Sequence, residues 1–156
     1  MRRCLFVFIC LAAAGAAAQQ PPAEPPIFNL PDEHTREIMK VARDNLHLAK
    51  LPDGTTVAQE TAEEKSKDLI PLTAGRKVVE VGLLSGVASK CGVDWRQSKM
   101  SQTIAAEKLA AGSDRKISAY IELLHGAAMA NAQMQTKECN QRLKDRVGRE
   151  ISTRWK

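Results

Sequence analysis

Residues able to do chemistry are few in this chain, and most stand alone. Glu122-Leu123-Leu124-His125 sets a carboxylate and an imidazole on neighbouring helix positions. Di-iron bundles use that step twice, with further glutamates from other helices. Here it occurs once, so a di-metal centre is not expected. His125 and Met129 lie one turn apart, with Met134 further on. Imidazole and thioether suit copper, so His125 and Met129 form a candidate copper site. Met129 filling core, with His125 a half-buried polar group, is the plainer reading.

Glu80 and Glu122 are the only acids set in strongly apolar helical stretches. A hydrolase acting on cell-wall polymer needs two acids flanking a cleft, one held in an apolar pocket. These two are the candidates, although the chain lacks the aromatic side chains that line sugar clefts. Gly82-Leu83-Leu84-Ser85-Gly86 carries a serine between glycines. Its spacing is not that of a nucleophile elbow, which needs G-x-S-x-G after a strand. A small-residue patch that lets a second helix approach is the better reading. The fold itself predicts no resident cofactor and no catalytic set.

Charge is the remaining signal. Residues 137–156 hold seven bases and three acids, so most of the chain's basic excess lies at its end. Arg142, Arg146 and Arg149 there, with Trp155 near the end and Tyr120 and His125 on the preceding helix, make the candidate interaction surface. The expected partner is an envelope protein or an anionic surface such as lipid headgroups. Nucleic acid is not expected.

The compartment follows from the first residues. Met1-Arg2-Arg3, an apolar run from Leu5 and the Ala16-Ala17-Ala18 step before Gln19 read as a secretory signal peptide over residues 1–18. The run is about 14 residues, short of the roughly 20 that span a bilayer, and no later segment reaches that length. An exported protein, periplasmic or extracellular, is expected. Cleavage removes Cys4 and Cys10 and leaves Cys91 and Cys139. In an oxidising compartment the remaining pair reads as a disulfide.

The elements that must position these groups are helical. Residues 19–30 are a Pro-rich extended lead. Residues 31–156 form one all-α domain, a bundle of four to six helices. Pro31-Asp32-Glu33 opens the first, whose inner side takes Ile38, Val41, Ala42, Leu46 (or Asn45) and Ala49. Thr55 to Gln59 reads as extended, and Glu60 to Asp68 as a short surface helix or ordered loop. Leu72 to Lys90 predicts the central, most buried helix, with Gly92 as its stop and a strand over Val78–Val81 as the alternative. Met100, Ile104, Ala105, Leu109 and Ala110 predict the apolar side of a fourth helix. Ile117, Tyr120, Ile121, Leu124 and Ala128 predict that of a fifth. A last helix is expected from about Thr136, with Cys139, Leu143, Val147 and Ile151 on its inner side. The overall reading is a small exported binding module rather than an enzyme.

Overall fold

Val78, Val79, Val81, Leu83, Leu84 and Val87 occupy every side of one stretch of chain, so no orientation leaves it an exposed face. In the computed structural model, which describes residues 28, 30–51, 53–96, 98–112 and 114–155, that stretch is helix α3, Leu72–Cys91, and all six side chains are buried. Helix formation costs a β-branched residue at most about 0.7 kcal/mol relative to alanine. Burying a valine side chain contributes about 1.5–3 kcal/mol. Burial therefore outweighs β-propensity, and the strand alternative over Val78–Val81 is overturned. Gly92, at φ 69°, closes the helix in the left-handed conformation expected of a glycine stop.

Five further helices occur among the described residues, four of them packed against α3. They are α1 (Asp32–Asp44), α2 (Ala62–Lys65), α4 (Lys99–Ala110), α5 (Arg115–Gln135) and α6 (Gln141–Arg154), with a 3-10 turn at Leu46–Leu48 after α1. No strand occurs among the described residues, and the protein is a small all-α domain. The signal segment and residues 19–27 of the Pro-rich lead lie outside the described residues. No helix among the described residues is long and apolar enough to cross a membrane.

The closest helix pair is α3 with α5. A Cβ added at Gly82 would stand 2.6 Å from the Ala128 Cβ and 2.7 Å from the His125 carbonyl oxygen. One at Gly86 would stand 2.4 Å from the Met129 carbonyl oxygen. The two backbones meet where the small residues are, so the Gly82–Gly86 patch is a packing device. α1 lies across this pair and buries Thr35, Ile38, Met39 and Ala42.

Two boundaries and one buried face differ from the sequence reading. α1 ends at Asp44, and Asn45 turns its side-chain amide back to donate to the Val41 carbonyl oxygen at 2.8 Å. α6 begins at Gln141 rather than near Thr136, because Asn140 caps it by accepting from the Leu143 N–H at 2.9 Å. Cys139 thus precedes the helix instead of lying on it. α4 turns only Met100 fully inward, while Ala105, Leu109 and Ala110 are exposed.

Between α1 and α3 the chain forms a strap, residues 49–71. Lys50 and Thr56 pair in a single antiparallel bridge around Gly54, at φ 83°. α2 is one turn with a complete capping box, Thr61 with Glu64. The strap is pinned by Arg43, which donates to both Glu60 carboxylate oxygens at 2.8 and 3.2 Å and to the backbone oxygens of Glu64 and Lys67. Lys116 reaches the same carboxylate at 2.9 Å.

Cys91 and Cys139 form a disulfide, with Cα atoms 5.1 Å apart and a sequence separation of 48. The loop it closes corresponds to about 4 kcal/mol of denatured-state entropy. It anchors the α5–α6 connection to the end of the central helix.

Candidate functional site: a trough between α1 and α5

α5 is apolar on more than the side it turns to α3. Tyr120, Ile121, Leu124 and Ala128 are buried, while Leu123 and Ala127, on another side, are half-buried and Gly126 is exposed. That second side forms one wall of an open trough of about 570 Å³. The other wall comes from the end of α1 and the 3-10 turn: Val41, Ala42, Asn45, Leu48 and Ala49. The volume falls within the roughly 300–1,000 Å³ of small-molecule sites. Val41 and Leu48 stand at the rim, 54% and 63% exposed. Val41 is therefore not an inner-face residue of α1, although Ile38 and Ala42 beside it are buried.

Gly126 distinguishes this face from the packed one. A Cβ at Gly82 or Gly86 meets backbone, whereas one at Gly126 meets nothing within 4 Å. Glycine inside a helix costs about 1 kcal/mol against alanine. No contact among the described residues accounts for that cost at Gly126.

One end of the trough is polar. Lys50, Ala119 and Glu122 line both the apolar part and an adjoining hollow of about 310 Å³ that adds Lys108, Asp114 and Arg115. Glu122 is held by Lys108 from α4, and Arg115 by Asp53 from the strap. The exposed Lys50 ammonium makes no ion pair among the described residues.

The residues expected from sequence fall elsewhere. Tyr120 is 2% exposed, and its hydroxyl donates to the Met39 carbonyl oxygen at 3.0 Å. Burial pushes that hydroxyl well above its ordinary pKa. It ties α5 to α1 and presents nothing to a partner, so it leaves the interaction surface. His125 is half-buried against Trp95, and desolvation lowers its pKa. Its Nε2 lies 3.4 Å from Ser85 Oγ, but that hydroxyl donates its one proton to the Val81 carbonyl oxygen at 2.6 Å. Ser85 is fully buried, so the two do not make a nucleophile and base open to substrate.

Met134 is exposed, and Met129 follows His125 on α5 with its backbone against Gly86. Among the described residues no group of three or more His, Cys, Asp or Glu side chains is placed to hold a metal ion. Glu80 pairs with Arg154 at 3.3 Å, away from Glu122, which pairs with Lys108 on the other flank. The two acids thus engage separate helices, α6 and α4, rather than a common partner.

On α6, Arg142 and Arg149 are exposed and Arg146 is half-buried. Arg146 and Arg149 each make contacts within the protein. Trp155 is half-buried beside Phe28 and Leu84, with the Arg154 guanidinium 5.8 Å from its ring. It serves to seat α6 rather than to reach outward. The trough residues Leu48, Leu123 and Ala127 were not foreseen as a set. Their signal was the second apolar side of α5, which exceeds what one buried stripe requires.

No protein-family model, no curated protein and no solved structure matches this chain.

Proposed function

We propose that the protein is a small exported module that acts by binding, and that the trough between α1 and α5 is its binding site. The observation that carries this reading is the open aliphatic trough with exposed Val41 and Leu48 at its rim and an uncovered Gly126 in its wall. Exposed apolar surface gathered into one concavity marks an interaction site more often than chance exposure does. Export is supported by the leader-like first 18 residues and by the disulfide, a bond favoured in oxidising compartments.

The test places a photocrosslinking side chain at Leu48, on the rim, and at Leu109, which is more exposed and lies on α4. A discrete adduct at position 48, absent at position 109 and lost on Gly126→Leu, is the expected result. Equal labelling at both positions would remove the trough from consideration. Export is checked by mass: the secreted protein should lack residues 1–18 and two further hydrogens.

A further inference from the structure

We propose that His125 is an acid-operated latch: its protonation drives Trp95 away from α5 and releases the start of α4, while the α3–α5 core stays folded. Among the longer helices α4 is held least by its own packing. Met100, in its first turn, is its one fully buried side chain, and Ala105, Leu109 and Ala110 face water. Its ion pairs, Lys77 with Glu107 and Lys108 with Glu122, each have one partner that is more than half exposed. The start of α4 is fastened instead through Trp95, in the α3–α4 connection. The Trp95 carbonyl oxygen accepts from the Ser98 hydroxyl at 2.5 Å and from the Ser98 N–H at 3.0 Å. Ser98 Oγ accepts from the Met100 N–H at 3.3 Å and so caps α4. One backbone bond, from the Lys99 N–H to the Trp155 carbonyl oxygen at 2.8 Å, adds to this hold. Trp95 is seated by its side chain: the indole N–H donates to Ser89 Oγ at 2.9 Å, and the ring lies 6.1 Å from the His125 imidazole.

The neutral imidazole suits this place and its cation does not. The Ser85 hydroxyl gives its one proton to the Val81 carbonyl oxygen, so toward His125 Nε2 it can only accept. Nε2 therefore carries the proton of the neutral ring, and Nδ1 has no hydrogen-bond partner among the described residues. Protonation adds an N–H at Nδ1 without an acceptor and a charge without a counter-ion. The acids of the surrounding elements are engaged elsewhere: Glu122 on α5 with Lys108, Glu80 on α3 with Arg154, Glu107 on α4 with Lys77, and Asp94 with the Arg96 N–H. Attraction of the imidazolium to the indole face does not offset this. At 6.1 Å and a 50° tilt His125 stands at the outer limit of cation–π range, and the Arg96 guanidinium already lies 5.7 Å from the same ring. Burial accordingly pushes the His125 pKa below its ordinary 6.5. Of the two side chains against the imidazole, Ser85 belongs to the buried face of α3 and Trp95 to a loop, so Trp95 is the one that yields.

Native-state hydrogen exchange of the oxidised protein, followed by NMR from about pH 8 down to about pH 4, tests the latch. The His125 ring protons give the native pKa. The Trp95 indole N–H and the Met100 N–H report the opening, and the buried Leu124 amide reports the core. After correction for intrinsic exchange, opening at Trp95 and Met100 should rise as pH falls below 6.5 and level off below the native pKa. The gain should be about tenfold for each pH unit between those two values. Low urea should leave these two rates almost unchanged while it speeds exchange at Leu124, because a local opening exposes little surface. His125→Gln, which keeps a donor for Ser85 and does not titrate, should hold both rates at their high-pH level. Rates at Trp95 and Met100 that stay flat through the His125 titration would overturn the latch. Slower exchange on protonation would overturn it in favour of a cation–π clamp. Met100 exchanging with the same urea dependence as Leu124 would show that α4 opens only with the whole fold, which refutes a local release. A pH response that survives in His125→Gln would assign the opening to another group.

Discussion

Arg43→Met should lower stability by about 2–3 kcal/mol, far more than a surface charge normally contributes. An exposed ion pair is worth about 0–1 kcal/mol, and removing one partner of a fully buried pair costs about 3–5 kcal/mol. Arg43 lies nearer the second case. Its side chain is 15% exposed and that of Glu60 is 4%. Its guanidinium makes four hydrogen bonds, two to Glu60 and two to the backbone oxygens of Glu64 and Lys67. Methionine keeps much of the aliphatic stem and removes all four. The cost falls short of the upper figure because Lys116 still reaches the Glu60 carboxylate at 2.9 Å. With a urea m-value of about 1–3 kcal/mol/M, the midpoint should fall by roughly 1–2 M. Arg43→Met with Glu60→Leu should recover part of the loss, since no charge is then left buried. The pH dependence provides a second readout. Glu60 is held below its ordinary value of 4.5, chiefly by hydrogen bonding to Arg43. It therefore adds stability above that value, and the addition is lost as pH falls through the lower native pKa. Arg43→Met should flatten that part of the acid limb. A midpoint shift equivalent to less than about 0.5 kcal/mol would show the pair to be solvent-screened and refute the argument that it pins the strap.

Two further outcomes follow from the same packing. Gly86→Ala puts a Cβ 2.4 Å from the Met129 carbonyl oxygen and should destabilise by about 1–3 kcal/mol, whereas Gly126→Ala meets nothing within 4 Å and should stabilise by about 0.5–1 kcal/mol. Paired urea melts decide this, and destabilisation by both would contradict the open wall at Gly126. His125 should titrate below 6.5 in the native protein because burial disfavours its charged form. As pH falls below 6.5 the unfolded imidazole takes up its proton first, so stability declines until the native pKa is passed. Following the His125 ring protons by NMR across that range, beside melts at the same pH values, checks the sign.

How much of this was legible depended on whether a residue's role was local. The Pro31 opening of α1, the Gly92 stop and the buried valines of α3 follow from capping, φ freedom and hydrophobicity, all written within a few residues. The disulfide followed from cysteine number once the first 18 residues were set aside. What was not legible depended on partners far away in the chain. Tyr120 looked available until Met39, 81 residues earlier, took its hydroxyl. Glu60 looked like one member of a solvated charge cluster until Arg43 and Lys116 enclosed it. Asn140 and Thr136 are both competent caps, and the side chain that reached an N–H fixed the boundary of α6. The trough was least legible of all. It is defined by what fails to cover Val41, Leu48 and Gly126; the second apolar side of α5 signals surplus apolar surface, but not whether a neighbour covers it.

The trough and the strap are one mechanical problem. One side of the trough, α5, is fixed by the tightest helix contact in the protein, through Gly82 and Gly86. The other side is the last turn of α1 and Leu46–Leu48, from which the chain runs directly into the strap. Arg43 sits at that junction, and its four bonds hold the strap against α1. If Arg43 keeps the Leu48 wall in place, Arg43→Met should lower the yield of the discrete adduct formed by a photocrosslinking side chain at position 48, measured without denaturant where the variant is still folded. Equal adduct yield in both would separate the two functions and leave Arg43 with the strap alone.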